Sequence, residues 1–220
     1  MKVIPIVPMS KKQAAIVCGS LTQTSKMPCK SYSLPTEACQ TGFRMAQVAG
    51  SICSECYADK GFYAMYAKSI KPVQHARLVA LEDPHWISGM VALIGSDDYF
   101  RWHDSGDLQG LWHLELIAEV AKLTPDCQHW LPTREYAMVK AYVAKHGAIP
   151  SNLIIRLSAM YPDKPVSIPK SLQGVPGIAA SNVHKYGAPI GQACAAPDQN
   201  GECRECRACW SEVTVSYAMH

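Results

Sequence analysis

Ten cysteines fall in this chain of 220 residues, and eight of them gather near its two ends. The tail reads Cys194, then Cys203-Arg204-Glu205-Cys206-Arg207-Ala208-Cys209-Trp210. Three thiols at i, i+3 and i+6 cannot share one face of a straight helix, because at about 100° per residue the third points away from the first two. The segment must coil around something that all of them reach. A cubane iron–sulfur cluster is the natural candidate, since C-x₂-C-x₂-C is the core of the ferredoxin ligand run. Zinc is the rival, although its sites usually come as separated C-x₂-C pairs. Disulfides are the remaining reading. Arg204 and Arg207 lie between the candidate ligands, where positive charge would offset a thiolate-rich anion, or where they would simply face solvent.

The first quarter holds Cys29, Cys39, Cys53 and Cys56. Cys53 and Cys56 form a C-x₂-C pair, and Ser54-Glu55 reads as the opening of a helix, whose free N–H groups would favour thiolate. With Cys39 and Cys29 upstream this is a second candidate metal site. Three ligands would leave one metal position open for chemistry and four would close it. Cys29 decides between the two, and the three-cysteine version is preferred because only Cys39 and the pair are needed. Cys18 and Cys127 read as small buried hydrophobes.

Positioning these groups falls to a middle stretch that alternates strands and helices. Tyr99–His103, Cys127–Pro132 and Asn152–Ser158 read as strands, with Gly177–Asn182 as a short fourth. Leu111–Leu123 reads as an amphipathic helix with Leu114, Ile117, Ala118 and Ala121 inward, and another helix ends at Lys145. Trp86–Ile94 is a helix as well. Residues 57–80 read as one helix or two, broken at Pro72. Residues 1–35 read as an extended arm and loops. Alternation of this kind implies right-handed βαβ units and a parallel sheet. Four units are too few for a full (β/α)₈ barrel, so the fold class is α/β, a partial (β/α) barrel or an open parallel sheet with cysteine-rich ends. One domain is expected, with residues 1–56 as arm and first cysteine group, 57–190 as core and 191–220 as tail.

In parallel folds the chemistry gathers at the carboxyl ends of the strands. Here those ends are polar: His103-Asp104-Ser105-Gly106-Asp107, Thr133-Arg134-Glu135, Arg156 with Ser158, and Asn182 with His184. Asp107, Thr133 or Ser181 alone could be a cap or turn residue, so the argument rests on the set. Arg134 and Arg156, at neighbouring strand ends, suggest an anionic ligand. His113 and His129 read as structural.

Composition narrows the function classes. A hydrophobic content of 48% against 18% charged residues indicates a globular chain. A net charge of +3 is too small to argue for nucleic acid or an anionic membrane. No apolar run is long enough for a membrane span, and Met1–Pro8 is too short and proline-broken for a secretory leader. A cytoplasmic, reducing setting follows, in which clustered cysteines indicate metal more than disulfides.

Two resemblances enter here. The blocks Lys-Met-Pro-Cys (26–29), Tyr-Ser-Leu-Pro (32–35), Cys-Ser-Glu-Cys-Tyr-Ala (53–58), Phe-Arg-Trp-His-Asp-Ser-Gly-Asp-Leu (100–108), Trp-Leu-Pro-Thr-Arg-Glu (130–135) and Cys-Arg-Ala-Cys-Trp (206–210) resemble a bacteriophage family, gene product 88. That resemblance implies a phage-encoded protein in the host cytoplasm and no particular activity. More loosely, the architecture resembles radical S-adenosylmethionine (SAM) enzymes. It implies a [4Fe–4S] cluster on Cys39, Cys53 and Cys56, with Tyr57 beside it, and Ser105-Gly106-Asp107 in place of the motif that binds the SAM amino group. Ser158 and Asn182 would complete the cofactor site. His103, Asp104, Arg134 and Arg156 would serve catalysis or hold an anionic part of SAM or substrate. An auxiliary cluster would map to Cys194, Cys203, Cys206 and Cys209. Radical SAM ligands normally fall at C-x₃-C-x₂-C, whereas thirteen residues separate Cys39 from Cys53 here.

The leading expectation is therefore an iron–sulfur protein with one cluster site at each end of the sequence, acting on a small-molecule substrate or a redox partner. The alternatives are a zinc-stapled adaptor with two Cys₄ sites, and an iron–sulfur electron carrier without catalysis.

Overall fold

The computed structural model describes residues 6–219, leaving aside the side chains of residues 61 and 62. Met1–Pro5, the start of the segment judged unlike a leader, lies outside the described residues. Among the described residues eight strands form one sheet: β1 (Thr22–Gln23), β2 (Lys30–Tyr32), β3 (Tyr99–Trp102), β4 (Gln128–Thr133), β5 (Leu153–Ser158), β6 (Ile178–His184), β7 (Gln192–Ala193) and β8 (Val215–Ala218). Their order is β1-β2-β3-β4-β5-β6-β8-β7, and only the β1–β2 pair is antiparallel. The parallel strands from β2 to β6 and β8 succeed one another in chain order. The sheet stays open, with β1 and β7 at its edges, as one of the two expected architectures.

Among the described residues seven α-helices accompany it: α1 (Lys11–Cys18), α2 (Thr41–Ala46), α3 (Gly61–Met65), α4 (Ala67–Ala80), α5 (Trp86–Ile94), α6 (Leu111–Leu123) and α7 (Tyr136–His146). Helices α1, α5, α6 and α7 pack successively against one another. Each element has a local cause. Ser10 and Gln13 form a capping box at α1. The expected inward residues of α6 are all buried. Residues of α5 from Trp86 to Met90 are all buried, as an apolar helix inside a domain must be.

Period-two alternation divides the sheet into two faces. Phe100 and Trp102 join the main core with Leu131, Leu153, Ile155 and Leu157. Trp130 belongs instead to a second cluster with Cys29 and Trp210, against which Tyr99, Cys209 and Tyr217 pack. The tail therefore covers the face opposite the main core. Cys18 and Cys127 are core thiols, as expected.

Several boundaries differ from expectation. The first 35 residues contain α1, β1 and β2, so the arm supplies the first parallel strand. Residues 52–59 form two 3₁₀ turns, Ile52–Glu55 and Tyr57–Asp59, where a helix start was expected. The helix break falls at Tyr66, and Pro72 lies inside α4. Strand β6 runs seven residues, and β8 adds a further parallel strand. No helix among the described residues is long and apolar enough to cross a membrane.

Candidate functional site

The chain leaves β2, makes a 3₁₀ turn at Thr36–Ala38 and reaches Cys39. Helix α2 and the turn at Ile52–Glu55 then bring it back. A Cβ placed on Gly42 would lie 3.5 Å from the Cys39 sulfur and 3.9 Å from the Cys53 sulfur. Both thiols thus gather over the bare face of one glycine, and the thirteen intervening residues form a closed excursion. Its fastenings come from elsewhere in the fold. The Glu135 carboxylate accepts from the Thr41 backbone N–H at 2.6 Å and from the Thr41 hydroxyl at 2.8 Å. Ile52 N–H donates to the Met160 carbonyl at 2.9 Å, and Lys185 pairs with Glu55 at 3.1 Å.

Burial pushes all three thiols upward. For Cys39 the next contributions come from Asp107, Cys56 and Cys53, and Arg134 counters them. Arg134 is also the strongest opposing influence on Cys53. Arg134 opposes the shift of Cys56 as well, so the three cysteines share one guanidinium, with Asp107, Glu135 and Asp59 as the neighbouring carboxylates. Cys29 is not among them. It is buried with Trp130 and Trp210, burial pushes its thiol up to about 12, and its nearest charge partners include Arg101 and Cys203. Cys29 thus lies with the tail group, and the strand-end group has three thiols.

The loop after β3 shapes this neighbourhood. Asp107 accepts from the Thr133 hydroxyl at 2.6 Å, the Leu108 N–H at 2.7 Å and the Arg134 N–H at 2.8 Å. Burial nevertheless raises its carboxyl to about 6, against the pull of those bonds. Ser105 donates to the Leu34 carbonyl at 2.8 Å and accepts from Gln74 at 2.7 Å. Gly106 has φ 76°, and a Cβ there would stand 2.6 Å from the Leu34 Cβ and 2.7 Å from its carbonyl oxygen. Ser105 and Gly106 therefore clamp the β3 loop onto the segment leading to Cys39. Gly106→Ala should cost at least about 1–3 kcal/mol in backbone strain. A thermal melt unchanged to within about a degree would refute this close approach.

The remaining expected residues are dispersed. His103 has φ 51°, and its ring packs 5.3 Å from that of His113, which is carried by α6. Neither of its ring nitrogens has a partner among the described residues, and burial holds it well below the usual histidine range. Asp104 accepts from the Tyr63 hydroxyl at 2.8 Å, while its carbonyl accepts from Tyr57. Arg134 donates through Nε to the Ala159 carbonyl at 3.0 Å. Ser158 gives its carbonyl to the Tyr136 hydroxyl at 2.7 Å. Asn182 ties two loops, accepting from Val166 N–H at 2.8 Å and donating to the Ile190 carbonyl at 3.0 Å. The anion-binding role expected of Arg156 is corrected. Its fully buried guanidinium donates to the carbonyls of Ala180, Ala208, Cys209, Ser211 and Val213 at 2.6–2.9 Å. It fastens the tail.

That fastening holds the second cysteine group. Cys194, Cys203, Cys206 and Cys209 all line one small cavity, with Trp210 and Val215 among its other walls. Left-handed residues at Asn200, Gly201 and Arg204 coil the chain around it. Cys203 N–H donates to the Lys26 carbonyl at 2.9 Å, and the Cys209 sulfur lies 3.1 Å from the Tyr217 hydroxyl. Trp210 donates to the Phe100 carbonyl at 3.0 Å and rests between the rings of Tyr99 and Trp130. Among the described residues no group of three or more His, Cys, Asp or Glu forms a ready site for a single metal ion.

Arg101 and Gly42 were not among the expected site residues, and Glu135 was expected only as part of the polar end of β4. Arg101 was findable, because it alternates with the core residues Phe100 and Trp102 and so had to face the other way.

No curated protein and no solved structure matches this chain. The family model described as gene product 88 matches residues 9–212, nearly its full length, and the chain therefore belongs to the gene product 88 family.

Proposed function

We propose that this protein is an iron–sulfur protein with two cluster sites. Cys39, Cys53 and Cys56 would hold one cluster with an open coordination position, and Cys194, Cys203, Cys206 and Cys209 would hold the other in a closed set. The observation that carries the reading is the return of Cys39 to Cys53 across thirteen residues, beside Asp107 and Arg134. Gly42 allows this return, because a Cβ there would stand only 3.0 Å from the Cys39 Cβ.

An open three-cysteine site next to a carboxylate and a guanidinium fits SAM as cofactor. Asp107 already accepts three hydrogen bonds, which leaves about one of its roughly four lone-pair sites for an amino group. The Arg134 Nη groups have no partner among the described residues and would suit a carboxylate. A reduced cluster would supply single electrons there. As a phage-encoded protein, it would act in the host cytoplasm on a small molecule or with a redox partner.

Iron, acid-labile sulfide and zinc should be measured on protein purified without oxygen. About eight irons and matching sulfide per chain, with broad absorption near ~400 nm, are expected. Cys53→Ala should lose about half the iron and keep the tail cluster. Titration of the loaded protein with SAM should give saturable binding that Asp107→Asn weakens. A colourless protein with about two zincs would sink the reading in favour of a zinc-stapled module. Iron and sulfide without SAM binding would leave an electron carrier.

A further inference from the structure

Strand β8 meets the tail cysteines at two points. Its Ser216 carbonyl accepts from the Cys194 N–H at 2.8 Å, and its Tyr217 hydroxyl lies 3.1 Å from the Cys209 sulfur. The first and last members of the tail set are thus tied to one short strand, itself held in the sheet between β6 and β7. Cys209 is fixed from its other side as well, since its carbonyl accepts from Arg156 Nε at 2.9 Å. The Tyr217 ring packs against the aromatic group that contains Trp130 and Trp210, which sets where its hydroxyl points. Tyr217 does not line the cavity that the four thiols share, and apart from Gln192 the remaining side chains of that wall are apolar. The hydroxyl therefore meets the Cys209 sulfur from outside the cavity and leaves the inner side of that sulfur to a metal. Among the described residues the phenol has no other hydrogen-bond partner, and the sulfurs of Cys194, Cys203 and Cys206 have none. A metal-bound thiolate carries no proton, so the phenol O–H is the donor.

We infer that Tyr217 is a positioning residue of the tail site: its hydroxyl donates to the Cys209 thiolate from outside the cavity, orients that ligand and favours the reduced form of the tail cluster. The inference rests on the two-cluster reading above. Reduction adds one electron, and hence one negative charge, which the cluster shares with its ligating sulfurs. A hydrogen bond to one of those sulfurs is stronger in that state. Outer groups of this kind orient metal ligands and tune the metal.

The test uses the full chain carrying Cys53→Ala, so that only the tail cluster remains, poised with dye mediators and followed by electron paramagnetic resonance. At the potential that half-reduces this protein, adding Tyr217→Phe should lower the ratio of reduced to oxidised cluster about fivefold. Electron–nuclear double resonance of the reduced cluster should lose one proton coupling that exchanges with deuterium oxide. Tyr99→Phe should change neither reading, because its ring packs 5.2 Å from that of Trp210 and its hydroxyl bonds no sulfur among the described residues. An unchanged ratio in Tyr217→Phe, or an exchangeable coupling that persists there, with iron retained, would overturn the inference and leave the two-cluster reading intact. Loss of the tail iron in Tyr217→Phe but not in Tyr99→Phe would support it. Loss in both would mean that Tyr217 serves only the packing of the tail, and would overturn it. Absence of iron and sulfide from the unsubstituted protein would defeat the two-cluster reading first, before any variant is made.

Discussion

Arg156→Met should release the tail. The guanidinium has 0% exposure and donates to five backbone carbonyls, four of them between Ala208 and Val213. Methionine preserves much of the volume and supplies no donor. Each buried carbonyl left without a partner costs about 1–3 kcal/mol, and some of that returns as water enters the loosened segment. A net loss of about 3–5 kcal/mol is expected, as for other buried charged groups whose partners are separated. For a chain of this size that lowers the melting temperature by roughly 10 °C. The damage should be local first, because Trp210 and β8 still hold the tail at other points. Proteolysis should therefore cut between residues 194 and 214 while the segment carrying α5–α7 stays protected. Arg156→Lys should fall between, since one ammonium has three donors for five acceptors. A Met variant that melts with the wild type would show that these carbonyls are satisfied by something other than Arg156.

The same arginine shows where a sequence can be read and where it cannot. An arginine inside Leu153-Ile154-Ile155-Arg156-Leu157 announces a buried charge that needs partners. Which partners it finds depends on a tail more than fifty residues later, and strand-end position alone suggested a ligand. The bounds of α6 and its inward face were legible because thirteen residues repeat one pattern. Strands β2 and β8 were not, since three or four residues of mixed polarity carry no period and owe their extension to β3 and β6. Cys29 was grouped with Cys39 by nearness in sequence, whereas the parallel β2–β3 pairing carries it toward the tail-covered face. Conversely, the thirteen-residue gap before Cys53 looked like a departure from a compact ligand set. It closes because Glu135, just past β4, holds the first turn of α2 and the Ile52 N–H donates to the Met160 carbonyl.

Mild acid should unfold the protein, with buried histidines as the cause. His129 accepts from the Trp102 indole through Nδ1 at 3.2 Å. Its Nε2 lies 2.8 Å from the Thr124 hydroxyl, which itself donates to the Val120 carbonyl at 2.8 Å. That hydroxyl must therefore receive the Nε2 proton, and His129 is fixed as the neutral tautomer. His113 likewise accepts through Nδ1, from the Gln109 N–H at 3.3 Å. Protonating either Nδ1 would set one N–H against another inside the core. Burial accordingly lowers His113 to about 3 and His129 to about 4. The unfolded chain binds these protons near pH 6.5, so between that pH and the folded values it holds more protons than the native state. Stability therefore falls as the pH drops. The two residues together remove about 8 kcal/mol once the pH is below both folded values. Asp107, raised to about 6, works in the opposite direction between pH 6 and 4 and returns about 3 kcal/mol. The balance is still comparable to the 5–15 kcal/mol total stability of an ordinary domain. Circular dichroism followed from pH 7 to 3 should show cooperative unfolding. His129→Gln, which can keep one donor and one acceptor, should move the midpoint to lower pH. A midpoint that stays in place in both His129→Gln and His113→Gln would assign acid sensitivity to other groups.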